Sequence, residues 1–104
     1  MKNIKNKKIN LYIGLTTNKN KKLNLKNTLK VISNIFIKYK INGFSVNRIF
    51  GFWNNKEEKT LIISFINVYK LDYLKLIVII NKLKGDLKQD SILLEILNIP
   101  FEFI

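Results

Sequence analysis

Hydrophobic positions change period along the chain, and each change marks an element. Ile9, Leu11, Ile13 and Leu15 alternate with Asn10, Tyr12 and Gly14. Period two predicts a strand with one buried face. Residues 16–24, TTNKNKKLN, are polar and basic and read as a loop. Leu25, Leu29, Ile32, Phe36 and Tyr39 then recur at helical spacing, with Asn24 placed to cap the helix and Asn42–Gly43 to stop it. Phe44–Trp53 is aromatic and β-branched and predicts a strand, with Gly51 marking a bulge or a close approach. Asn54–Glu58 reads as a turn and Thr60–Val68 as the strand that completes a hairpin. Asp72 opens a second helix running to about Lys84, striped by Leu76, Ile79, Ile80 and Leu83 and ended by Gly85. Ser91–Leu97 predicts a last strand, and Pro100 breaks regularity before the tail FEFI.

The order is β-α-β-β-α-β, which predicts an α+β, ferredoxin-like fold: a four-stranded antiparallel sheet with two helices on one face. Residues 1–8 read as a basic flexible arm and 9–104 as a single domain. One helical layer leaves the far face of the sheet open. The second helix and last strand are apolar on most sides, which points to a possible homodimer.

Charge is distributed unevenly. Residues 1–56 hold 12 Lys and one Arg with no acid, whereas 57–104 hold 6 Lys against 7 acids. Lys, Asn and Ile together supply 51 of the 104 residues, a bias that an AT-rich genome produces and that inflates lysine by itself. Such drift does not confine acids to one half. The expectation is a cationic half aimed at a polyanion. Its candidate contacts are Lys5, Lys7, Lys8, Lys19, Lys21, Lys22, Lys26, Lys30, Lys38 and Arg48, with Tyr12 and Trp53 as possible stacking rings.

The chain has no Cys, which excludes disulfides and thiolate metal sites, and no His, the commonest general base. Its longest apolar run is Leu76–Ile80, far short of the roughly 20 residues that span a bilayer. A cytoplasmic protein with no membrane partner is expected, without metal or cofactor. Gln89-Asp90-Ser91 suggests a polar site, but the serine lacks an ordinary base, and the triplet reads as the turn into the last strand. Glu57–Glu58, flanked by Lys56 and Lys59, reads as solvated charge in a turn.

Two resemblances bear on this. LYIGL at Leu11–Leu15 and RIFGFW at Arg48–Trp53 are similar to the paired motifs of RNA-recognition domains, with Tyr12, Phe50 and Phe52 as stacking candidates. There, however, the second motif precedes a helix, whereas here the strand-like Leu61–Val68 follows it. From Ile9 onward the chain resembles a family of small proteins of unknown function from bacterial and phage genomes. The matching residues are Leu11, Tyr12, Gly14 and Leu15, then Gly43, Phe44, Val46, Gly51 and Trp53, then Gln89, Asp90, Ser91, Ile92 and Leu93. That resemblance implies a ferredoxin-like, often phage-associated protein with no established reaction.

The functional expectation is a small non-enzymatic binding protein, phage- or mobile-element-related. It would engage nucleic acid or a host nucleoprotein or defence complex through its lysines. The alternatives are a ribonucleoprotein subunit that binds RNA and a dimeric small-nucleotide-binding protein.

Overall fold

A computed structural model describes residues 2–104, the side chain of Trp53 excepted. The elements are β1 (Lys8–Gly14), α1 (Leu25–Lys38), β2 (Ser45–Trp53), β3 (Lys56–Ile66), α2 (Tyr73–Asp86) and β4 (Leu93–Leu97). The strands form one antiparallel sheet in the order β2-β3-β1-β4, and the βαββαβ arrangement is as expected. Both helices pack on one face. That face of the sheet supplies Ile9, Leu11 and Ile13 from β1 and Leu61, Ile63 and Phe65 from β3, all buried. Against them lie Ile32, Ile35 and Phe36 of α1 and Leu76, Ile79, Ile80 and Leu83 of α2. Phe36 sits edge-on to Phe44 and Phe65, with ring centroids 5.0 and 5.6 Å away. Each edge-to-face pair contributes about 1 kcal/mol beyond its burial.

Both helices start where the sequence places a cap. Asn24 accepts from the Asn27 backbone N–H at 3.0 Å, and Asp72 accepts from that of Lys75 at 2.8 Å. Their ends differ from expectation. The left-handed residues after the helices are Lys40 and Lys88 rather than the glycines, and Gly85 lies inside the last turn of α2.

The hairpin also differs. Its turn is only Asn54–Asn55, both left-handed with φ of 51° and 62°, the two-residue geometry whose twist matches that of the paired strands. Lys56–Lys59 therefore belong to β3, not to a loop. Gly51 pairs regularly with Glu58 and makes no bulge.

The amino-terminal segment is not a free arm. Ile4 is 1% exposed, within the core. The Asn6 N–H donates to the Asn67 carbonyl and the Asn67 N–H to the Lys7 carbonyl, both at 2.8 Å, and the buried Asn67 amide donates to the Ile4 carbonyl at 3.1 Å.

Candidate functional site

Alternation along the strands assigns the residues of the open face. On β1 they are Asn10, Tyr12 and Gly14; on β3, Ser64, Ile62, Thr60 and Glu58; on β4, Glu95 and Leu93. Near the middle of this face four polar side chains form a chain. Ser64 donates to Asn10 Oδ1 at 2.7 Å, and Asn10 Nδ2 donates to Glu95 Oε1 at 3.2 Å. The Tyr12 hydroxyl donates to the same Glu95 oxygen at 2.6 Å. The Tyr12 hydrogen bond, then the Asn10 one, hold the Glu95 carboxyl below its usual range. The same bond, with burial second, raises the Tyr12 phenol. Around neutral pH Tyr12 is thus a fixed neutral donor and Glu95 its ionised acceptor.

Toward the carboxyl end of β1 this face opens into a cleft of about 810 Å³, within the range of sites for drug-sized ligands. Tyr12, Gly14, Thr60 and Glu58 lie on its sheet side, and the hairpin end, residues 16–20 and residues 89–93 surround it. Two of these walls are tied together. The Gln89 amide donates to the carbonyls of Thr16 and Leu87, both at 3.1 Å, and Asn18 Nδ2 donates to Asp90 Oδ1 at 3.2 Å. The backbone N–H of Asn18 donates to the Lys88 carbonyl at 2.8 Å.

Two features of the cleft point toward a ligand. Glu58 is half-buried, and its carboxylate lies directly over Gly14: a Cβ there would fall 2.8 Å from Glu58 Cδ and closer still to Oε1. Gly14 has no positive φ, so space rather than backbone geometry calls for glycine here. Thr60, 1% exposed, has a hydroxyl without a hydrogen-bond partner. A buried polar atom left unpaired costs about 1–3 kcal/mol.

The electrostatics are the reverse of those expected. Among the cleft's lining residues are Glu57, Glu58 and Asp90 against the single lysine Lys56, and a fourth acid, Glu95, holds Tyr12. A chain of net charge +12 thus brings Glu58 and Asp90 to one cleft, with Glu95 beside Tyr12. The cause is topological. Antiparallel pairing brings the starts of β3 and β4, from the acidic half, beside the end of β1, from the basic half.

The lysines are not gathered into one surface. Lys5, Lys7, Lys8 and Lys38 lie at the end of the sheet where β1 starts and α1 finishes, whereas Lys19, Lys21, Lys22 and Lys26 lie at the cleft end. Lys30 is midway along α1, and Arg48 is on the edge strand β2. Tyr12 reaches the cleft, with its hydroxyl committed to Glu95. The side chain of Trp53 lies outside the described residues. The candidate lysines are thus divided between the two ends of the sheet.

No protein-family model matches the chain, and no curated protein matches it by sequence. Solved structures do share its fold. A phage SAM lyase in the apo state superposes with a TM-score of 0.69 at 18% identity, covering 92% of this chain and 84% of that one. The phage SAM lyase in complex with S-methyl-5'-thioadenosine gives 0.65 at 18% identity with the same coverage. A DUF3240 family protein from Shewanella baltica OS155 gives 0.55 at 15% identity, covering 95% and 96%. At these identities the likeness establishes the fold. The expectation of a non-enzymatic polyanion binder is corrected on one finding: the phage SAM lyase that shares the fold is an enzyme. Among the described residues no helix is long and apolar enough to cross a membrane.

Proposed function

We propose that this protein cleaves S-adenosylmethionine, or a close adenosyl sulfonium, in the acid-lined cleft at the carboxyl end of β1. The observation that carries the reading is the Glu58 carboxylate seated over Gly14 in a cleft whose charge opposes that of the rest of the chain. The fold shared with a phage SAM lyase, which has been seen with S-methyl-5'-thioadenosine, supports it.

The chemistry suits these residues. A sulfonium carries a full positive charge and leaves as a neutral thioether, so breaking its C–S bond requires no general acid. If the substrate's own carboxylate attacks Cγ, a C–O bond forms and the Cγ–S bond breaks. Its electron pair stays on sulfur, and the products are methylthioadenosine and homoserine lactone. No proton is transferred, so a chain without His and Cys lacks nothing the step demands.

The protein's part is binding and orientation. Glu58, with Asp90 nearby, attracts the cationic substrate. The Thr60 hydroxyl offers an uncommitted hydrogen bond. The Tyr12 ring, fixed by Glu95, gives the adenosyl group a rigid aromatic surface.

The test is incubation of the purified protein with S-adenosylmethionine and mass-spectrometric detection of the products. Methylthioadenosine and homoserine lactone are expected, with kcat/KM lowered at least about tenfold in Glu58→Gln. A folded protein that forms no methylthioadenosine defeats the proposal. Equal turnover in Glu58→Gln removes Glu58 from it.

A further inference from the structure

Two aromatic surfaces of opposite charge remain outside the cleft. On β2, Arg48, Phe50 and Phe52 alternate with Ile49 and Gly51 and so project from the face of the hairpin opposite Glu58. Phe50 and Phe52 are 68% and 71% exposed. A groove of about 370 Å³ lies beside them, lined by Arg48, Ile49, Phe50 and Lys59. The second surface is the segment after β4. Phe101 and Phe103 are 40% and 76% exposed, with their rings edge to face at 5.6 Å. Glu102 lies between them. One surface is aromatic with two cations and Glu57 beside Phe52, net positive, and the other is aromatic with one anion.

We propose that the Phe101–Phe103 segment of one copy docks on the Arg48–Phe50–Phe52 ribbon of a second copy, reciprocally, in a two-fold dimer. The two surfaces do not meet within one chain. β4 and β2 are opposite edges of the sheet, and the tail leaves β4 at Leu97, level with Lys8 and Ile66. Phe50 is level with Lys59. Seven residues along β3 and three strand spacings separate these points, about 27 Å. Phe103, six residues beyond Leu97, reaches at most about 21 Å.

The size of the contact also fits. At roughly 150–250 Å² per phenylalanine, the exposed parts of the four rings come to about 500 Å². A two-fold pair makes the contact twice, about 1,000 Å², the lower bound for a specific interface. Glu102 falls among Arg48 and Lys59, where opposite charges set register and select the partner. Pro100, lacking an N–H, keeps the segment from joining a sheet edge as a strand.

The test measures mass by light scattering and sedimentation on the full chain from about 1 to 100 µM, a range that captures dissociation constants typical of modest interfaces. Circular dichroism checks the folding of each variant. A species of twice 12.3 kDa is expected. Glu102→Lys and Arg48→Glu should each weaken it at least about tenfold, and the double variant should regain most of the loss, because the swapped charges again oppose. Phe50→Ser with Phe52→Ser should leave monomer. A wild-type monomer throughout the range overturns the proposal. So does an assembly of any size indifferent to these variants, or a double variant no tighter than the singles. None of these outcomes depends on turnover of S-adenosylmethionine.

Discussion

Gly14→Ala separates the role of space in the cleft from the role of stability. The added Cβ would stand 2.8 Å from Glu58 Cδ and nearer to Oε1, so the carboxylate has to move by about 1.5 Å to reach ordinary contact. What moves is the free end of a flexible side chain, and Gly14 has no positive φ for alanine to strain. Stability should therefore stay level or rise by up to about 1 kcal/mol, through the smaller entropy of the unfolded chain. Function should fall. Two unit charges about 4 Å apart attract by about 4 kcal/mol at an effective dielectric of 20, and by about 3 kcal/mol at about 5.5 Å. The loss of about 1 kcal/mol is roughly sixfold in kcat/KM for a cationic substrate. The assay is release of methylthioadenosine, with thermal melting alongside. The cycle with Glu58→Gln decides the matter. If Gly14 acts by positioning that carboxylate, alanine costs little further activity once the charge is gone. An equal loss in both backgrounds, or unchanged activity in the single variant, refutes the reasoning.

Thr60→Val removes a buried hydroxyl without a partner and nearly keeps its shape, so urea unfolding should show a gain of about 1 kcal/mol; KM should rise if substrate uses that hydroxyl. Tyr12→Phe deletes the largest cause of the lowered Glu95 carboxyl. Because that carboxyl is lowered in the fold, its contribution is complete above the ordinary carboxylate range and disappears as pH falls through the lowered value. The melting-temperature gap between wild type and Tyr12→Phe should accordingly be widest near neutrality and close in acid. Asn55→Val forces a branched residue into a left-handed position and should cost about 1–2 kcal/mol, whereas Asn55→Gly should be tolerated.

The helices were legible because their information is local. Asn24 and Asp72 cap where their chemistry dictates, and Leu76, Ile79, Ile80 and Leu83 are all buried as their spacing requires. The cleft was much less legible. It joins residues 12–20 to 54–60 and 89–93, a proximity created by pairing across the sheet and invisible to any local period. One signal was within reach. Asn-Asn is suited to a two-residue turn with both residues left-handed. Reading it so extends β3 back to Lys56, and alternation then sets Glu58 beside Thr60 on one face. Treating Asn54–Glu58 as a five-residue turn instead made Glu58 look as solvated as Glu57, which is exposed. Absence of histidine misled for a chemical reason: it speaks against proton transfer at serine, not against departure of a sulfonium.

The β2–β3 hairpin has working residues on both sides. Glu58 projects to one side, and Phe50 and Phe52 to the other, across only two strands. A neighbouring molecule seated on the aromatic side and a ligand beside the carboxylate would act on the same two strands. By thermodynamic reciprocity, a sulfonium that tightens self-association is itself bound more tightly by the associated form, by the same factor. Ligand affinity and protein concentration would then be two readings of one equilibrium.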